Sequence, residues 1–160
     1  MGQQVKILVT GGLGFIGHNV VQLLKTQGHE VIIIDNQTTY GIIPQTELDY
    51  LIAERKFTIT PCVIHIADIK DQGSIEYIMR RHEIELVIHL ASFPRQKVVN
   101  SNPCWGSQTM SEGLLSLLEA SKNCGIKKFV YVSSSMVYGN FKDTYFEGID
   151  EDHACNPIGQ

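Results

Sequence analysis

The chain has no Cys-x-x-Cys pair, no run of lysines and arginines, and no apolar stretch as long as a membrane span. Each absence removes a class of function. The four cysteines, Cys62, Cys104, Cys124 and Cys155, are scattered, and no histidine stands at ligand spacing beside them. They read as reduced thiols of a cytoplasmic protein, with no metal site expected. Thirteen basic against 17 acidic side chains leave a net charge of −4, which argues against nucleic acid or an anionic membrane as partner. The N-terminus enters a strand pattern directly, without the layout of a signal peptide. What remains is 160 residues, 43% hydrophobic and 19% charged, enough for one globular domain with a real core.

Against that background one segment stands out, VKILVTGGLGFIG at residues 5–17. A β-branched run ends in a glycine-rich turn that opens onto an apolar helix-like stretch. Gly12, Gly14 and Gly17 satisfy G-x-G-x-x-G, and Gly11, Gly14 and Gly17 satisfy the wider G-x-x-G-x-x-G. Glycine serves such a turn by permitting a tight bend, close approach of backbone to a pyrophosphate, and close packing of helix on strand. The unpaired N–H groups and the positive end of the helix dipole then face the phosphates. Asp35 follows 18 residues after Gly17, at the end of the next apolar run, where a carboxylate accepts hydrogen bonds from an adenosine ribose. The bland alternative is a plain strand–helix–strand turn with a solvent-facing Asp35.

Strand and helix patterns alternate along the rest of the chain. Strands are expected at 5–10, 30–34, 63–66, 86–90 and 128–133, and helices at 15–27, 47–56, 72–82 and 105–123, with 91–102 a loop. Met110, Leu114, Leu117, Leu118 and Ser121 are expected to share the buried face of the last helix. Alternation with crossover helices implies an α/β fold, a doubly wound parallel sheet in the order 3-2-1-4-5. The first two helices should cover one face and the later two the other. His65 and His89 fall inside strand patterns and read as packing or hydrogen-bonding residues.

These motifs together resemble the extended short-chain dehydrogenase/reductases, specifically the NAD-dependent nucleotide-sugar epimerases and dehydratases. The matching segments are TGGLGFIG (10–17), IDN (34–36), ADI (67–69), HLAS (89–92), LLEAS (117–121) and YVSSSMVYG (131–139). The resemblance implies a Rossmann-like NAD-binding domain over 1–160. Gly11, Gly14, Phe15, Ile16 and Gly17 would form the pyrophosphate turn, and Asp35 and Asn36 the ribose contacts. Asp68 and Ile69 would bracket the adenine, and Leu90, Ala91 and Ser92 would lie along the cofactor. Ser133 would stand on the cofactor side, and Ser134 at the family's catalytic Ser/Thr position.

The chain also departs from the pattern. Met110 stands where the family usually has Asn, and Ala67 where it usually has Gly. The family's catalytic Tyr-x-x-x-Lys follows strand five on a helix, and NPIGQ (156–160) resembles the run just before it. Tyr138 and Lys142 satisfy that spacing but lie too close to Ser134, in a turn-rich stretch. The expectation is therefore the cofactor-binding half of a longer enzyme, without the substrate-binding domain and inactive alone. In the resembled enzymes a tyrosinate takes a sugar hydroxyl proton while hydride passes to NAD, giving a keto intermediate. A homodimer is a possible assembly. A non-catalytic dinucleotide-binding module or redox sensor is the alternative, and an NADP-linked reductase is disfavoured by Asp35.

Overall fold

A computed structural model describes residues 3–93, 96–139 and 149–157. Five short strands form the sheet: β1 (Lys6–Thr10), β2 (Glu30–Asp35), β3 (Val63–Ile66), β4 (Leu86–His89) and β5 (Lys128–Tyr131). Their order is β3-β2-β1-β4-β5, with every pair parallel, as the alternation implied. Central strands of such a sheet are covered on both faces, which is why β1 and β2 are continuous apolar runs.

The alternation of side chains sorts the core into two layers. Ile7, Val9, Val31 and Ile33 face α1 (Phe15–Thr26) and α2 (Gln45–Ile59), which contribute Val21, Leu48, Ile52 and Ile59. Leu8, Ile32, Ile34 and Val87 face the other way, onto Ile75, Ile78 and Met79 of α3 (Gln72–His82) and onto a later helix. Asp71 starts α3 by accepting from Ser74 N at 3.1 Å and Ser74 Oγ at 2.6 Å, and these bonds hold its carboxyl below the usual carboxylate range.

Two stretches differ from expectation. The segment after β4, expected as a loop, contains α4 (Gln96–Ser101). Pro103 confines this helix: Asn102 leaves the helical region, with φ −139° and ψ 63°, and its N–H closes onto Val98 O at 3.0 Å. Pro103 then opens α5 (Pro103–Ser107) at a position where its missing N–H costs nothing.

The second difference is one of phase. α5 runs through a π turn (Gln108–Glu112) into α6 (Gly113–Asn123). The wider turn rotates α6 about its axis relative to α5. Thr109 turns inward, while Met110 and Leu118, expected on the buried stripe, are 43% and 40% exposed. The stripe that packs on the sheet is Gly113, Leu117, Ala120 and Ser121. β4 and β5 also end earlier than expected, at His89 and Tyr131, so that Leu90, Val132 and Ser133 lie past the sheet. Among the described residues no helix is long and apolar enough to cross a membrane.

Candidate functional site

A cleft of about 270 Å³ opens at the carboxyl ends of β1, β2 and β4. In a sheet of this order that is the switch point, where chain connections diverge to opposite faces. Gly11, Gly14, Phe15, Asp35, Asn36, Ile69, Leu90, Ala91 and Ser92 line it, gathering most of the residues singled out from the motifs. Ile16 and Gly17 stand one step away in α1. Asp68 lies at the rim, its Oδ1 accepting from Lys70 N at 2.9 Å and its Oδ2 3.5 Å from Asn36 Nδ2. Ser133 and Ser134 are exposed and outside the lining.

The glycines shape the turn by what they exclude. Gly11 has φ +70°, and a Cβ there would meet Ala91 N at 2.8 Å, so β1 and β4 approach closely only without a side chain. A Cβ on Gly17 would fall on the Gly11 carbonyl oxygen, so α1 seats against the turn only with glycine. Gly14 begins α1 with no side-chain cap, leaving the first N–H groups of the helix for an anion.

Leu13, at the centre of the turn, is clamped from both sides. Its N–H donates to Asp35 Oδ2 at 2.9 Å, and its carbonyl accepts from Arg55 Nη1 of α2 at 2.7 Å. Asp35 Oδ1 accepts from Gln37 N at 2.8 Å. Each carboxylate oxygen thus takes one backbone donor and keeps a lone pair for a hydroxyl.

Beneath the cleft, Thr10 Oγ1 lies 2.7 Å from His89 Nδ1, 3.2 Å from Ala91 N and 3.3 Å from Leu90 N. The two amides donate to the hydroxyl oxygen, so its proton goes to Nδ1 and the imidazole proton sits on Nε2. Burial lowers the His89 pKa to about 4, so the ring is neutral.

Motif reading missed Arg55, Gln37, Tyr40 and Thr109, all of which line the cleft. Tyr40 Oη lies 3.0 Å from Thr109 Oγ1, and its ring is 4.1 Å from that of Phe93. Tyr40 and Thr109 meet across 69 residues of sequence, through a loop and a π turn whose geometry no spacing announces.

The uncapped helix, the glycine-rich turn and a carboxylate with lone pairs to spare together fit a dinucleotide. Comparison with known proteins agrees. The family model described as GDP-mannose 4,6 dehydratase matches residues 8–159. A UDP-glucose 4-epimerase of Klebsiella pneumoniae is 34% identical over 139 residues, covering 85% of this chain and 94% of that sequence. One from Neisseria meningitidis serogroup C is 35% identical over 160 residues, covering 96% of this chain and 44% of its relative. The crystal structure of a UDP-glucose-4-epimerase from Stenotrophomonas maltophila, with bound NAD and formylated UDP-arabinopyranose, superposes with a TM-score of 0.78 at 29% identity. It covers 97% of this chain and 44% of that one. The chain thus spans less than half the length of most relatives it matches. With the site geometry and the match along nearly its whole length, the chain belongs to the family of extended short-chain dehydrogenase/reductases that epimerise or dehydrate nucleotide-sugars.

Proposed function

We propose that this chain is the cofactor-binding half of an NAD-dependent enzyme that epimerises or dehydrates a nucleotide-sugar through a keto intermediate. The observation that carries this reading is Asp35, set at the carboxyl end of β2 beside the glycine turn and facing the cleft. NAD, when bound, supplies the hydride acceptor. The chain's own residues bind and orient. Gly11, Gly14, Phe15, Ile16 and Gly17 hold the pyrophosphate, Asp35 and Asn36 the ribose, and Asp68 and Ile69 the adenine. Leu90, Ala91, Ser92 and Ser133 flank the rest of the cofactor, and Ser134 meets the reacting hydroxyl. The relative crystallised with a UDP-sugar supports a nucleotide-sugar as substrate. The four free thiols support a cytoplasmic location. A second copy of the chain is the partner that the outer face of α6 suits.

Asp35 also sets the cofactor. A carboxylate repels a 2′-phosphate, and the one cation in the lining among the described residues, Arg55, is committed to the Leu13 carbonyl. Calorimetric titration of residues 1–160 should show NAD binding at least about tenfold tighter than NADP, and no conversion of UDP-glucose by this chain alone. Equal or tighter NADP binding would defeat the cofactor assignment. Robust turnover would bring Tyr138 and Lys142 forward as catalytic groups.

A further inference from the structure

Gln37 carries two unusual features at once. Its backbone sits at φ +54°, in the left-handed region that side chains other than glycine, asparagine and aspartate seldom adopt. Its side-chain Nε2 is buried and has no hydrogen-bond partner, the only such side-chain atom among the described residues. A buried donor without an acceptor is costly, and native structures keep few of them. Strain and an orphaned donor on one residue that also lines the cleft mark a group held for something other than folding.

The geometry of Asp35 shows what that group is held for. The Asp35 carboxylate binds the Gln37 N–H itself, so the bond that aims Asp35 also twists Gln37 into place. A ribose hydroxyl that donates to Asp35 still presents its own oxygen lone pairs. The neighbouring amide is a donor without an acceptor, and the carboxylate is an acceptor with capacity to spare. Nε2 is enclosed in the empty cleft, and we infer that the Gln37 side chain turns outward when the dinucleotide enters, so that Nε2 donates to a hydroxyl oxygen of the adenosine ribose and Gln37 and Asp35 read one hydroxyl from both sides. This rests on the dinucleotide reading above and adds to it a specificity residue. Leu48 and Ile52 of α2 form an apolar wall of the same cleft.

The test uses ADP-ribose and its 2′-deoxy and 3′-deoxy analogues, titrated into the chain and into Gln37→Met, which keeps length and removes the donor. Gln37→Met should weaken ADP-ribose binding about fivefold to thirtyfold, the range for losing one hydrogen bond to a ligand. For one of the deoxy analogues the two proteins should bind alike, because the hydroxyl they contest is gone. The thermal midpoint of the free variant should hold or rise, since an unpaired buried donor has been removed. A merely structural glutamine would behave oppositely, with a lower midpoint and the same factor lost for all three ligands, and that result overturns the inference. So does unchanged ADP-ribose affinity. Gln37→Glu, of the same shape without the donor, should weaken ADP-ribose binding further and serves if Gln37→Met does not fold. Failure of the unsubstituted chain to bind ADP-ribose would instead remove the dinucleotide reading itself.

Discussion

At the scale of single residues, Thr10 and His89 show how the cleft floor is tied together and how its strength depends on pH. The Thr10 hydroxyl links β1 to the departing backbone of β4 and fixes the tautomer of His89. The imidazole stacks against Tyr131, with centroids 5.7 Å apart and planes at 21°. Burial holds the His89 pKa at about 4, below the unfolded value of 6.5, so the native state favours the neutral ring. The stability this contributes is complete above about pH 6.5 and is lost as pH falls through the folded value. Urea unfolding at pH 7 and pH 4.5 should therefore show about 2–3 kcal/mol less stability at the lower pH from this group alone. His65, lowered by burial and by His82 and Arg81, adds in the same direction. His89→Asn, whose side-chain oxygen can still take the Thr10 proton, should flatten that slope. An equal slope in the variant would assign the pH dependence elsewhere. Asp71, Glu76, Glu83 and Glu85, all lowered by hydrogen bonds, begin to lose their own contribution as pH falls through the ordinary carboxylate range, so it is the difference from His89→Asn that isolates the histidine.

Elements divide into those legible from local pattern and those set by distant contacts. β3 and α3 fall at the residues their patterns indicate, because Asp71 caps the helix locally and the strand is bounded by Pro61 and Asp68. The glycine turn was legible for the same reason, its residues being consecutive, and Asp35 was legible because it closes the apolar run of β2. Arg55, Gln37 and Tyr40 were not, because their roles depend on contacts with Leu13, Asp35 and Thr109 that only the folded chain brings together. The phase of α6 was hidden by the π turn, which no hydrophobic period reveals. The short 3₁₀ turn after β5 (Ser135–Tyr138) bears on the role proposed for Ser134. Ser134 caps it, with Oγ accepting from Met136 N at 3.2 Å, which leaves the hydroxyl proton free to donate to a substrate oxygen. In a protein that includes the Tyr-x-x-x-Lys helix, Ser134→Ala should lower turnover about a hundredfold, the usual cost of one positioned donor, with little change in thermal midpoint. Near-normal turnover would move the role to Ser135.

For the molecule as a whole, the sheet is less covered at its edges than at its centre. β1 and β2 are sealed on both faces, whereas β5 at the edge leaves Val130 38% and Tyr131 50% exposed. The helical run after β4 is similarly one-sided. Its inner stripe of Gly113, Leu117, Ala120 and Ser121 meets the sheet, while Leu115 is 63% and Leu118 40% exposed on its outside. Trp105 and Met110, earlier in the same run, are exposed as well. Exposed apolar side chains on one helix face suit association, and such a face pairs readily with its own copy about a two-fold axis. Charge does not prevent it, since a net charge of −4 on 160 residues is modest. Residues 1–160 should therefore self-associate through α6. Sedimentation should report a dimer that Leu115→Glu with Leu118→Glu converts to monomer, because burying like charges without partners opposes pairing. The substituted positions face away from the core, so the thermal midpoint should change little beyond the loss of association. A dimer that persists in this variant but dissociates with Val130→Lys would place the contact on the β5 edge instead, and a monomeric parent chain would remove the self-association proposal altogether.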